Sequence, residues 1–146
     1  MGSLQYVDVL LRLGAAVVVG AMIGLDRELR GKPAGFRTVA LVSLGSAMFV
    51  LTAVGAGPDT SADSTSRAIQ GIVTGVGFLG AGTIVRGQTQ DSVKGLTTAA
   101  SVWLAAATGI ACGLALWPLV VTASAFGLAV LVFEPVEAWL KRRFAK

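Results

Sequence analysis

The charged residues of this chain are confined to short segments. Between them lie four stretches without Asp, Glu, Lys or Arg: Leu13–Leu25, Thr38–Pro58, Ala68–Val85 and Gly95–Phe133. A membrane-spanning helix needs about 20 predominantly apolar residues. The last stretch has 39 residues, enough for two helices, and Pro118 marks the break because proline ends one helix and suits the first turn of the next. The pattern therefore predicts five membrane-spanning helices.

These helices are predicted at about residues 7–25, 38–57, 68–85, 95–113 and 118–133, within one transmembrane domain over residues 1–133. The first span extends back past Arg12, whose charge can snorkel near the helix end. Residues 134–146 form a basic tail with apolar residues at helical spacing, which we expect to lie along the cytoplasmic leaflet. The predicted fold class is an all-α integral membrane protein, a compact bundle of five transmembrane helices.

The composition indicates that the chain is surrounded mainly by lipid. It also limits the catalytic and metal-binding chemistry that the chain can support. Hydrophobic residues make up 54% of the chain and charged residues 14%, which is more apolar than a soluble domain of this size can bury. The chain has no His and a single Cys112, so histidine catalysis, a disulfide framework and a Cys/His zinc site are excluded. No nucleophile with a base and no cofactor loop is found. We expect no enzymatic activity, no metal and no cofactor.

The distribution of basic residues predicts how the chain is oriented in the membrane. Alternating spans put ten of the 12 Lys and Arg residues on one side of the membrane, with only Arg12 and Arg67 on the other. By the positive-inside rule the N-terminus lies outside and the C-terminus in the cytoplasm. The net charge of +4 is thus an orientation signal, and no nucleic acid is expected as a partner.

Glycine pairs spaced four residues apart occur in three predicted spans: Gly20 with Gly24, Gly71 with Gly75, and Gly109 with Gly113. Such pairs let helix backbones approach closely. The contact is either within one bundle or between two copies in a homodimer. The third span adds Gly77, Gly80 and Gly82, and this density predicts either tight packing or a functional break in the helix.

Four motifs in order resemble the motif series of the MgtC/SapB family: residues 24–28, 34–38, 67–84 and 93–103. The resemblance implies a multi-pass protein of the bacterial inner (plasma) membrane, linked to magnesium homeostasis, to growth in low magnesium and to virulence through survival inside macrophages. It implies a regulator that binds another membrane protein, with the membrane sector of the F-type ATP synthase as the partner. Longer members continue into a cytoplasmic ACT-like domain, and we expect a short form without it.

The motifs also suggest candidate site residues, although Asp26 stands where the family often has Glu, and Thr97 where some virulence-linked members have Asn. The first set is a polar functional cluster: Asp26, Arg27, Glu28, Arg37, Thr38, Arg67, Gln70, Thr97 and Thr98. Its five charged members are expected to brace helix ends. The second set is a helix-packing motif: Gly71, Gly75, Gly77, Gly80, Gly82 and Trp103. We expect Trp103 to pack in the core.

The alternative to a regulator is a cation transporter or channel. Mg²⁺ prefers carboxylate oxygens, but no carboxylate is predicted in mid-membrane, where the polar side chains are neutral. Asp26, Glu28 and Asp91 fall at the cytoplasmic boundary, and Asp59 and Asp63 fall outside. An oligomer could still line a pore with backbone carbonyls, so this interpretation stays open. The lipid bilayer surrounds the protein in either case.

Overall fold

The computed structural model describes residues 6–55, 62–86 and 93–133, together with Arg143. These residues form five helices: α1 (Tyr6–Leu29), α2 (Phe36–Gly55), α3 (Ala62–Thr83), α4 (Leu96–Gly113) and α5 (Trp117–Val132). Between α3 and α4, strand β1 (Val85–Arg86) pairs antiparallel with β2 (Val93–Lys94). The described fold is therefore all-helical apart from this two-residue ladder. The predicted tail 134–146 lies outside the described residues except for Arg143.

Two helices continue beyond the apolar stretches that predicted them. α1 ends at Leu29, so Asp26, Arg27 and Glu28 belong to its last turns and not to a loop. α3 begins at Ala62 and includes the first-turn residue Asp63. Helical hydrogen bonding does not stop where apolar residues stop, and ion pairs four residues apart support such polar turns. Asp26 pairs with Arg30, and Asp63 pairs with Arg67.

Three of the described helices, α1, α2 and α4, are long and apolar enough to cross a membrane. α5 is apolar but has only 16 residues. α3 has 22 residues but falls short in apolarity, because Arg67, Gln70 and its many glycines lower its hydropathy. The described fold thus supports a helical membrane protein, while the count of five spans and the orientation stay predictions.

α2 contacts α1, α3 and α4. Both α1 and α4 contact α2 at Ser43. A Cβ atom added to Gly20 of α1 would lie 2.7 Å from the Cβ of Ser43, and one added to Gly109 of α4 would collide with the carbonyl oxygen of Ser43. Gly113, one turn further along α4, lies in the same way against Ala47 and Val50. Two of the three predicted glycine pairs are therefore used inside the bundle.

Arg12 joins α1 to the far end of α4. Its Nη1 donates a hydrogen bond of 2.8 Å to the carbonyl oxygen of Gly113, and its Nη2 lies 2.8 Å from Oδ2 of Asp8. Gly113 ends α4, where carbonyl groups lack partners within the helix and the helix dipole favours a cation. Arg12 therefore caps α4 and fixes its position beside α1.

Gly95 closes the connection at the opposite end of the bundle, between α3 and α4. Its φ of +94° lies in the left-handed region, which costs other residues about 1–2 kcal/mol. A Cβ atom there would also collide with the carbonyl oxygen of Thr83, the last residue of α3. Only glycine meets both conditions, so Gly95 allows α4 to begin directly against the end of α3.

Candidate functional site

An ion cluster occupies the last turns of α1. Oδ2 of Asp26 accepts hydrogen bonds from Nε and Nη2 of Arg27, at 3.1 and 2.7 Å. Oδ1 of the same carboxylate accepts one from Nε of Arg30, at 2.8 Å. The side chain of Arg27 is only 1% exposed, and that of Asp26 is 15% exposed. One carboxylate is thus shared by two guanidinium groups, one of which is fully enclosed.

The enclosure of Arg27 gives this cluster a structural role. A buried charge is costly unless it is paired and hydrogen-bonded, and breaking such a pair leaves the remaining charge without compensation. Arg27 is the largest fully buried side chain among the described residues. Asp26 therefore helps to hold the guanidinium of Arg27, and with it the end of α1, in position.

Glu28 connects α1 to the start of α2. Its Oε2 accepts a hydrogen bond of 2.8 Å from the backbone N–H of Phe36, the first residue of α2. Backbone N–H groups in the first turn lack helical partners, and a carboxylate there also complements the helix dipole. Gly35 makes room for this cap, since a Cβ atom on it would lie 2.8 Å from the same carboxylate oxygen.

We expect Glu28→Ala to lower the stability of the folded chain by about 1 kcal/mol, because the cap of α2 is lost. Glu28→Gln keeps an oxygen that can accept the Phe36 hydrogen bond, so its loss should be smaller. Thermal unfolding of both purified variants in detergent measures the difference. A Glu28→Ala protein as stable as the parent chain would show that this hydrogen bond does not hold the α1–α2 connection.

A polar pocket of about 440 Å³ adjoins this cap. Its lining carries both signs of charge together with a hydroxyl and two glycines: Glu28, Gly31, Lys32, Gly35, Arg37 and Thr38. Arg37 and Thr38 are exposed, in the first turn of α2. The structure thus places Glu28, Arg37 and Thr38 together, next to the Asp26–Arg27 pair.

The other predicted cluster residues are divided between the two ends of the bundle. α3 runs antiparallel to α4, because Gly80 contacts Ala99 and Thr83 lies against Gly95. Arg67 and Gln70, near the start of α3, are therefore at the end of the bundle away from Asp26. Arg67 pairs with Asp63 at 2.9 Å, with both side chains exposed. The nine predicted residues do not form one cluster.

Thr97 and Thr98 lie in the first turn of α4, at the same end of the bundle as Asp26. Thr98 is buried and Thr97 is exposed. The carbonyl oxygen of Thr97 accepts a hydrogen bond of 2.8 Å from the hydroxyl of Ser101. Further along α4 the Thr108 hydroxyl bonds in the same manner to the carbonyl of Leu104, at 3.0 Å. The hydroxyls of Ser101 and Thr108 are thus satisfied by their own helix.

The predicted packing motif is largely unpacked. Of its five glycines, only Gly80 would bring an added Cβ within 4 Å of a described neighbour: 3.7 Å from the Cβ of Ala99 and 3.9 Å from Cδ1 of Trp103. Added Cβ atoms at Gly71, Gly75, Gly77 and Gly82 would meet nothing within 4 Å. α3 is a continuous helix, so the break, one of the two alternatives, is not observed, and Trp103 is 43% exposed instead of lying in the core. The glycine-rich side of α3 therefore faces outward.

Sequence reasoning missed residues whose importance comes from contacts. Ser43 has no distinguishing pattern around it, yet two helices cross it. Gly95 carries a local signal, a glycine directly before an apolar helix, which is typical of a sharp turn into that helix. Among the residues that the structure describes, no group of three or more His, Cys, Asp or Glu side chains could hold a metal ion.

An all-helical bundle with membrane-length apolar helices and charges gathered at the helix ends defines a helical membrane protein. A family profile described as the MgtC family matches residues 13–139, and the chain belongs to this family. This result confirms the resemblance to the MgtC/SapB motif series.

Curated relatives support the assignment. The chain is 43% identical over 147 residues to "Protein SrpB" of Synechococcus elongatus, an alignment covering 92% of this chain and 81% of that protein. It is 47% identical over 105 residues to "Protein MgtC" of Salmonella typhimurium, covering 72% of this chain but 43% of that protein. "Protein SapB" of Bacillus subtilis is 35% identical over 142 residues, with 93% and 59% covered. The chain thus spans less than two thirds of MgtC and SapB. No solved structure matches it.

Proposed function

We propose that the chain is a regulatory protein of the bacterial inner membrane, linked to magnesium homeostasis and low-magnesium or intracellular survival. It acts by binding another membrane protein, and the membrane sector of the F-type ATP synthase is the candidate partner. The observation that carries this proposal is that the carboxylates of the described residues pair with arginines or cap a helix. Membership of the MgtC family supports the link to magnesium.

The carboxylates of the described residues are engaged near helix ends. Asp8 pairs with Arg12, Asp26 with two arginines and Asp63 with Arg67, while Glu28 caps α2. A magnesium pathway needs oxygen ligands along its course, because this ion gives up its water reluctantly. In α4, the hydroxyls of Ser101 and Thr108 bond to carbonyl groups of their own helix. This arrangement supports binding of a partner over passage of an ion.

A groove between α2 and α3 is the surface that we assign to the partner. It has a volume of about 850 Å³ and a mainly apolar lining contributed by both helices: Leu41, Gly45 and Phe49 from α2, and Ile72, Gly75 and Leu79 from α3. Added Cβ atoms at Gly45 and Gly75 meet nothing within 4 Å. Glycines on both walls would let a transmembrane helix of the partner approach closely.

Co-purification from bacterial membranes tests the proposal. The tagged chain is extracted in mild detergent, and the retained membrane-sector subunits of the ATP synthase are quantified. We expect Gly45→Leu, which fills the groove from α2, to abolish retention. Gly14→Leu is the matched control, because Gly14 is also a helical glycine with nothing within 4 Å, but it lies on α1.

Two results would overturn the proposal. One is a parent chain that retains no more ATP synthase than an untagged control. The other is equal retention by Gly45→Leu and the parent, which would remove the groove from the contact. In parallel, proteoliposomes containing the purified chain are tested for Mg²⁺ uptake along a gradient. Uptake above that of empty liposomes would favour the transporter alternative.

A further inference from the structure

Two cavities meet at Thr38, in the first turn of α2. The polar pocket beside the Glu28 cap and the apolar groove between α2 and α3 are both lined by Thr38. α2 is long and apolar enough to cross a membrane, so its first turn lies where the helix enters the bilayer. A polar cavity at the membrane surface is therefore joined to an apolar cavity that continues into the membrane.

The apolar groove has the depth of about one leaflet. Its lining runs from Thr38 to Phe49 on α2 and from Ala68 to Leu79 on α3, which is 11 positions on each helix. At 1.5 Å per residue each wall extends over about 16 Å, half of a hydrocarbon core of about 30 Å. Leu41 and Phe49 in this lining are 65% and 66% exposed, so the groove is open sideways to a ligand from the membrane.

The polar pocket carries more positive than negative charge. Its lining includes two cations, Lys32 and Arg37, and one carboxylate, Glu28, a net charge of +1. The carboxylate already accepts the hydrogen bond from the backbone N–H of Phe36. Guanidinium and ammonium groups donate strong hydrogen bonds to phosphate oxygens, and basic pockets at the membrane surface are typical sites for anionic headgroups. The charge of the pocket therefore complements a phosphodiester.

We infer that the two cavities together bind one anionic glycerophospholipid. Its phosphodiester binds Arg37, Lys32 and the hydroxyl of Thr38 in the polar pocket, and an acyl chain lies along the groove. A phospholipid matches both cavities at once, whereas a free phosphate would use only the pocket and a helix only the groove.

The lipid also gives the groove a form of regulation, and this part of the inference rests on the proposed function. An acyl chain and a helix of the partner cannot fill the groove together. The lipid therefore occupies the groove when the partner is absent, and the partner helix binds by displacing it.

Lipid retention by the purified chain tests the site without any partner protein. The chain is incubated in detergent with phosphatidylglycerol or phosphatidylcholine of the same acyl composition, and retained lipid is counted by native mass spectrometry. We expect about tenfold more phosphatidylglycerol than phosphatidylcholine, because only the former carries a net negative charge. Equal retention of the two lipids would overturn the inference. Displacement by an equal concentration of inorganic phosphate would also overturn it, since the groove would then contribute nothing.

Substitutions in the two cavities test them separately. Arg37→Gln removes a cation from the pocket and Gly45→Leu fills the groove, and each should lower phosphatidylglycerol retention by about tenfold. Arg37→Lys keeps the charge and should retain most of the lipid. Gly14→Leu, at a helical glycine of α1 with nothing within 4 Å, should behave as the parent chain. Parental retention by Arg37→Gln or by Gly45→Leu would contradict the assignment of that cavity.

The lipid test and the partner test can fail independently. Arg37 lies outside the groove lining, so Arg37→Gln should still retain the subunits of the ATP synthase. A parent chain that retains phosphatidylglycerol but no ATP synthase would reject only the proposed partner, and the reverse result would reject only the lipid site. Chain purified with the subunits should carry less phosphatidylglycerol than chain purified alone. Equal amounts of lipid in the two samples would refute displacement.

Discussion

Gly109→Ala is expected to destabilise the folded chain by about 3 kcal/mol, at the upper end of the cost of overpacking a core. The added methyl group would collide with the carbonyl oxygen of Ser43, and it would lie 2.9 Å from the Cα of the same residue. These are backbone atoms of α2, so no side-chain rotation relieves the clash. Ser43 is also in contact with Gly20 of α1, so α2 cannot move away from α4 without pressing against α1.

Thermal unfolding in detergent, followed by tryptophan fluorescence, measures this effect. Gly14→Ala is the matched control, because Gly14 is a helical glycine whose added Cβ meets nothing within 4 Å. Alanine there improves helix propensity by about 0.5–1 kcal/mol, so the Tm of this variant should be unchanged or raised. A Gly109→Ala protein as stable as Gly14→Ala would refute the close crossing of α2 and α4.

The glycine pairs show what residue spacing can and cannot predict about helix packing. A four-residue spacing correctly indicates that two glycines share one helix face. It does not say which neighbour lies on that face, because the neighbour depends on how the helices are arranged. Gly20 and Gly109 meet α2 at Ser43, whereas Gly71 and Gly75 face outward. The same pattern therefore marks internal packing in α1 and α4 and an open surface in α3.

The polar site was predictable where it is local in sequence. Asp26, Arg27 and Glu28 are consecutive, and their partners Arg30 and Phe36 follow within ten residues. Only the motif resemblance groups Arg67 with them. The alternation of spans already placed Arg67 on the other side of the membrane, and the antiparallel packing of α3 on α4 agrees. Burial of Arg27 could not be foreseen, because enclosure results from the packing of whole helices.

Arg27→Ala is the second substitution for which we expect a large effect, a loss of about 3 kcal/mol, within the range for emptying the site of a large buried side chain. The substitution removes one of two guanidinium groups from Asp26 and leaves a cavity at a site that is 1% exposed. Arg30→Ala is the matched control in the same cluster. Arg30 binds the other oxygen of Asp26 but is 27% exposed, so its removal should cost less than about 1 kcal/mol.

A double substitution separates the charge effect from the packing effect. If the unpaired charge dominates the cost, replacing both partners with neutral residues should cost less than replacing one. Asp26→Asn combined with Arg27→Met keeps most of the side-chain volume and removes both charges. We therefore expect this double variant to unfold at a higher temperature than the Asp26→Asn single variant, which leaves the Arg27 charge enclosed beside a neutral amide. A double variant less stable than Asp26→Asn would mean that Arg27 acts through the packing of its side chain, and that the ion pair with Asp26 contributes little to holding the end of α1.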